Sequence, residues 1–244
     1  MIELFRALFA PPRHLIPLVA ALWIGLTLAE KRSERHGLSK EQLNNLSFYS
    51  LLGFLIGGRL LFALANFSSF AQSPFSLFSP NPDLFDSIGG LLTAILVGLI
   101  YGRRQKLALW KTLDAMTPIF ACLAIGLSLA HLAAGTAFGK PTMLPWGIDL
   151  WNATRHPTQV YELFASLLTF SLIWFRKSDS PPGLLFLTFA ALTAGARLFL
   201  EAFRGDSTLI FGGLRLAQLI AWGVLALTLY TSEVLRRNAS NRKT

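Results

Sequence analysis

Residues 183–204 read GLLFLTFAALTAGARLFLEAFR. From Gly183 to Ala196 the stretch carries no charge; Arg197, Glu201 and Arg204 then follow at i, i+4 and i+7. A helix needs about 20 apolar residues to cross a hydrocarbon core of roughly 30 Å. The apolarity is continuous rather than alternating, and an unclosed sheet would leave its backbone unsatisfied in lipid. The stretch therefore predicts a membrane helix with one charged face near its end.

Working outward, similar runs lie at about 14–30, 48–66, 86–102, 112–134, 158–175 and 214–235. The expectation is an all-α polytopic membrane protein of about seven transmembrane helices, with residues 1–244 forming one membrane domain. The composition agrees: 14% of residues are charged and 53% hydrophobic, whereas a soluble domain carries about 25% charged residues. The first run lacks a small-residue cleavage pattern and reads as a retained helix, not a signal peptide. Cys122 is the lone cysteine. It reads as a small packing residue, and no Cys/His spacing implies a metal site.

Lysine and arginine positions set the orientation. Loops after the first, third and fifth runs, with the C-terminal tail, hold fourteen, including Lys106, Lys177, Arg236, Arg242 and Lys243. The opposite side holds six: Arg6, Arg13, Lys140, Arg155, Arg204 and Arg215. The richer side is cytoplasmic by the positive-inside rule, so the N-terminus is expected outside and the C-terminus inside. The net charge of +9 is then topological, and no nucleic-acid partner is expected. On the outer side, residues 67–85 have no Lys or Arg but contain Phe67, Phe70, Phe75, Phe78 and Phe85, which suits a segment lying in the headgroup region. Trp146 and Trp151, in the 135–157 loop, read as interface anchors.

Charges within membrane helices are costly and mark function by default. At 1.5 Å per residue, Arg59 lies about 10 Å, Arg197 about 9 Å and Glu162 about 7.5 Å below the outer helix ends. His131 falls in the last turn of its run. Gln159 and Glu162 stand at i, i+3 after Pro157, a helix-start residue. One reading has these groups locking helices together. The other notes that Arg59, Arg155, Arg197 and Arg204 outnumber Glu162, Glu201 and Asp206, and that spare guanidinium suits phosphate.

Four stretches resemble one family. Arg155-His156-Pro157-Thr158-Gln159-Val160-Tyr161-Glu162 is similar to RHPSQLYE, and Gly195 to Arg204 to GxxRFxxEFxR. Gly57-Gly58-Arg59-Leu60 is similar to GGRxG, and Leu216-Ala217-Gln218 to MGQ. Together they resemble the prolipoprotein diacylglyceryl transferases of bacteria. Two motifs depart from the family pattern. HGG appears as Ile88-Gly89-Gly90, and GRxGNFxNGExxG spans Leu127 to Gly139. There Ser128 replaces arginine, His131 and Ala134 replace asparagines, and Thr136 replaces glutamate, while Gly135 and Gly139 remain.

The resemblance implies a multi-pass enzyme of the bacterial cytoplasmic (inner) membrane. It would move the diacylglyceryl group of phosphatidylglycerol to the lipobox cysteine presented by a prolipoprotein signal-peptide helix, with no cofactor or metal. Arg197 and Glu201 would be catalytic, with His131 or His156 as the base. Arg59, Arg155, Gln159, Tyr161, Glu162, Arg204 and Gly139 would bind substrate, Tyr161 reading equally as an interfacial anchor. Two alternatives stand beside it: a paralogue binding anionic lipid or lipoprotein without chemistry, and a transferase using the same donor with another acceptor.

Overall fold

A computed structural model describes residues 2–79, 81–176, 180–210 and 212–241. Lys177, Arg242 and Lys243, used above for orientation, lie outside the described residues. The chain is mostly helical: α1 (Ile2–Leu8), α2 (Ile16–Ser33), α3 (Lys40–Ala65), α4 (Phe67–Gln72), α5 (Ser87–Arg104) and α6 (Leu109–Ala134) come first. The strands β1 (Ile148–Leu150) and β2 (Ala153–Arg155) follow, then α7 (Thr158–Trp174) and α8 (Leu184–Leu200), then β3 (Leu209–Ile210) and β4 (Leu214–Arg215), and finally α9 (Leu216–Asn241).

Each of the seven expected runs is a helix. The helical spans Arg13–His36, Lys40–Ala65, Leu109–Ala134, Leu184–Phe203 and Leu216–Asn241 are long and apolar enough to cross a membrane. The helices α5 and α7 are shorter, at 18 and 17 residues. One expectation needs correcting. The α3 helix starts at Lys40 rather than near 48, because Ser39 and Gln42 form a capping box at 3.1 and 3.0 Å. The mostly helical fold agrees with the all-α expectation, and two short antiparallel ladders lie in its connections. In the first, Leu150 pairs with Ala153 across Trp151 and Asn152, whose φ values of 55° and 58° make a tight hairpin turn.

The chain forms two compact units, residues 1–32 with 113–244, and residues 33–112. In the smaller unit α3 packs on α5 through small residues, which let helices approach closely in an apolar solvent. A Cβ on Gly53 would lie 2.9 Å from Val97 Cγ2. Gly89 and Gly90, the surviving part of the HGG-like motif, are buried in this contact, while Ile88 is exposed. The carboxylate of Asp86 caps α5, accepting from the Ile88 and Gly89 amides at 3.0 and 3.1 Å.

The phenylalanines of 67–85 divide in two. Phe67, Phe75 and Phe78 are exposed, whereas Phe70 packs on Phe62 and Phe85 on Phe54. In the larger unit a Cβ on Gly25 would lie 2.9 Å from Ile119 Cα, so α2 sits close against α6. Asp114 of α6 is buried and caps α8 through the Gly183 and Phe186 amides, at 2.6 and 2.9 Å.

Candidate functional site

The site is built from the start of α7. Thr158 and Gln159 are buried and reach back to the segment that follows α6. Thr158 Oγ1 donates to the Ala137 carbonyl at 2.6 Å, and Gln159 Nε2 to the Thr136 carbonyl at 2.8 Å. With that turn pinned, Glu162 is held one helical turn further on.

Three carboxylates and two guanidiniums interlock there. Glu162 Oε1 accepts from Arg197 Nη1 at 2.9 Å and from Arg204 Nη1 at 3.0 Å. Arg197 Nη2 lies 2.9 Å from Glu201 Oε2, the i, i+4 pair read from the sequence. Asp206 takes Arg204 Nε and Nη2 side by side at 2.9 and 2.8 Å. Glu201 is only 1% exposed, a position an ionised carboxylate tolerates only when paired. Burial works against the charge on Arg204, but Asp206 and Glu162 outweigh it and hold its pKa above the ordinary value. Arg197 differs from Arg204 in reach: its side chain is 36% exposed against 10%.

Other residues named from the sequence surround this core. His131 Nδ1 lies 3.7 Å from Glu162 Oε2, beyond hydrogen-bonding distance. His156 Nδ1 is 3.4 Å from the Tyr161 hydroxyl, which also accepts from Trp146 Nε1 at 2.9 Å. Arg155 donates to the Leu150 and Gly139 carbonyls at 2.9 and 3.2 Å, so its donors serve the hairpin loop. Gly139 faces the His156 backbone so closely that a Cβ would not fit.

Arg59 belongs to the smaller unit. All five of its N–H groups go to main-chain carbonyls: Nε to Leu77, Nη1 to Asn81 and Leu84, Nη2 to Ser76 and Ser79, at 2.5 to 3.1 Å. A ligand phosphate on Arg59 would have to displace one of them.

The family model for prolipoprotein diacylglyceryl transferase matches residues 15–232. The chain belongs to that family. Among proteins named phosphatidylglycerol–prolipoprotein diacylglyceryl transferase, it is 27% identical over 232 residues to that of Nostoc sp., covering 87% of this chain and 81% of the relative. With the protein of Clostridioides difficile it shares 29% over 214 residues, 84% and 83% of the two chains. With that of Methylococcus capsulatus it shares 31% over 169 residues, 67% and 64%.

Of the substituted positions in the family's signature strip, Ser128 is turned to packing and Thr136 to solvent, while His131 lies beside Glu162. Ser128 is buried and donates back to the Ala124 carbonyl at 3.0 Å within α6. Thr136 is exposed. Sequence reasoning missed Arg215, counted only as a loop charge. Its Nη1 donates to the Glu201 carbonyl, to the Arg204 carbonyl at 3.0 Å and to Ser207 Oγ at 2.7 Å, bracing the turn that carries both residues. No spacing signal marks it, because the contact is made by the turn after α8. Asp114 did have a signal, an acid inside an apolar run, but it sits away from the charged faces that drew the reading.

Proposed function

We propose that this family member transfers the diacylglyceryl group of phosphatidylglycerol to a prolipoprotein cysteine, as its relatives are named for doing. The observation that carries this reading is Arg197: a partly exposed guanidinium held between Glu162 and Glu201, in one of the four family-like stretches. The cysteine sulfur, as thiolate, attacks the glyceryl methylene carbon bonded to the phosphate oxygen. The C–S bond forms, the C–O bond breaks, and glycerol phosphate leaves with the electron pair. A thiol near its free pKa of about 8.5 needs a base. His131 is suited to take the proton, because Glu162 stands 3.7 Å away to balance the imidazolium that forms. Arg197 faces the charge growing on the leaving phosphate, where a preorganised donor is most effective. Glu162, Glu201 and Arg204 set its direction.

We further propose seven spans in the bacterial cytoplasmic membrane, N-terminus outside, supported by the lysine and arginine distribution. Cysteines placed at Lys106 and Arg236 are expected to react only with reagent on the cytoplasmic face. A second reading, lipid or lipoprotein binding without chemistry, is favoured by Ser128, which spends its hydroxyl on its own helix. Purified protein incubated with phosphatidylglycerol and a lipobox peptide decides between them. Transfer adds the diacylglyceryl mass to the peptide and releases glycerol phosphate; an unchanged peptide mass overturns the catalytic reading.

A further inference from the structure

Arg6 sits in α1, ahead of the span matched by the family model. Its Nη2 lies 3.4 Å from where a Cβ on Gly135 would be, beside Leu150 Cδ1 at 3.3 Å and Trp151 Cζ2 at 3.7 Å from the same point. The guanidinium thus lies over Gly135, the residue that follows α6, among apolar groups. Trp151 is fixed there by its Nε1, which donates to the Gly135 carbonyl at 2.9 Å. Among the described residues Arg6 makes no hydrogen bond or ion pair, and its Nε is sealed from solvent without an acceptor. Other arginines of this unit are used: Arg13 on the Ala7 carbonyl, Arg155 and Arg215 on carbonyls, Arg197 and Arg204 on carboxylates. A guanidinium that lies among apolar side chains with its Nε buried and without an acceptor calls for an anion.

Two more buried atoms without a hydrogen bond lie at the same end of α6. His131 Nδ1, one helical turn before Gly135, has no hydrogen bond. Gln159 Oε1 has none either, although its Nε2 is tied to the carbonyl of Thr136, next to Gly135. Arg6 offers donors to an anion, while Gln159 Oε1 can only accept. A phosphate ester that also bears a hydroxyl satisfies both kinds of atom, and a phosphoglycerol has that pattern. We infer that Arg6 is a phosphate-binding residue of a phosphoglycerol subsite at the C-terminal end of α6, with Gln159 Oε1 taking the hydroxyl. The inference rests on the transferase reading only for the identity of the lipid.

The test uses the full chain in neutral detergent and native mass spectrometry. Short-chain phosphatidylglycerol and phosphatidylcholine are titrated in separate arms, with soluble glycerol phosphate in a third. Arg6→Gln is expected to weaken phosphatidylglycerol about tenfold, the loss of one charge-assisted contact, and to leave phosphatidylcholine unchanged. Arg6→Lys, which keeps the charge with fewer donors, should fall between, and Arg236→Gln should match wild type. A parallel loss confined to the glycerol phosphate arm assigns the subsite to the released product rather than the lipid. Binding of both phosphatidylglycerol and glycerol phosphate by Arg6→Gln equal to wild type overturns the inference, as does an equal loss for both lipids. If wild type prefers phosphatidylglycerol yet transfers nothing, the transferase reading falls and the subsite stands.

Discussion

The two units bury arginine in opposite ways. In the larger one, Arg197 and Arg204 meet Glu162, Glu201 and Asp206, and charge is cancelled by charge. In the smaller one, Arg59 has no carboxylate within ion-pair distance among the described residues, and its five N–H groups are spread over five carbonyls between Ser76 and Leu84. Carbonyls solvate a cation without neutralising it, and those acceptors belong to the backbone. The result is a clamp that fixes the path of a segment whose Phe75 and Phe78 are exposed. Carboxylates instead fix side chains relative to one another, which is what a reacting centre needs. The lesson is that an arginine inside an apolar run reports a demand for acceptors, met by backbone carbonyls at Arg59 and by carboxylates at Arg197 and Arg204.

The contrast can be broken at its strongest point first. Glu162→Leu leaves two guanidiniums short of a partner and is expected to cost about 3–5 kcal/mol, read as a drop in denaturant midpoint in detergent. A cost below that of removing Arg59 would mean that the carboxylates are not what holds the cluster. His131→Ala should lower transfer by about 100-fold or more while phosphatidylglycerol binding persists, since binding rests on guanidinium. If binding and transfer fall together, His131 belongs to the structural pairing instead.

Smaller effects sharpen the picture. Arg59→Lys keeps the charge but has three donors for five carbonyls. It should cost about 2 kcal/mol, summed from hydrogen bonds worth roughly 0.5–1.5 each, and open residues 76–84 to limited proteolysis. Transfer should fall less than stability does, because the clamp acts through the segment. A collapse of phosphatidylglycerol binding with the segment still protected would make Arg59 a ligand residue after all. Last come the two capping aspartates. Asp114→Ala should cost about 2 kcal/mol and Asp86→Ala about 1 kcal/mol, since Asp114 is buried and joins elements 69 residues apart. Equal melting shifts would show that burial adds nothing to the cap.

How much was legible follows from the range of each interaction. The apolar runs were readable because crossing lipid is a property of consecutive residues, and each expected run is a helix in the structure. The pair Arg197–Glu201 was readable because i, i+4 spacing forces proximity on a helix. The start of α3 was also on the page, in Ser39 and Gln42, but the polar stretch around them read as a loop. The hairpin at Trp151 and Asn152 was not readable, because neither residue is the glycine that such a turn usually takes.

By itself, the sequence determined the membrane helices, the uneven lysine and arginine distribution, the four family-like stretches and the cluster's residue types. These depend on composition, periodicity and local order, which the chain carries without folding. Tertiary structure alone decided which acceptors the arginines meet beyond their own helical turn. Glu162 serves both Arg197 and Arg204 across 35 and 42 residues, Arg215 braces Glu201 from the next element, and Arg59 spends its donors on carbonyls. It also left Arg6 unpaired over Gly135. Hydrogen bonds and ion pairs form over about 3 Å, so beyond a single helical turn their partners are set by how helices and turns pack, and no spacing along the chain encodes that distance.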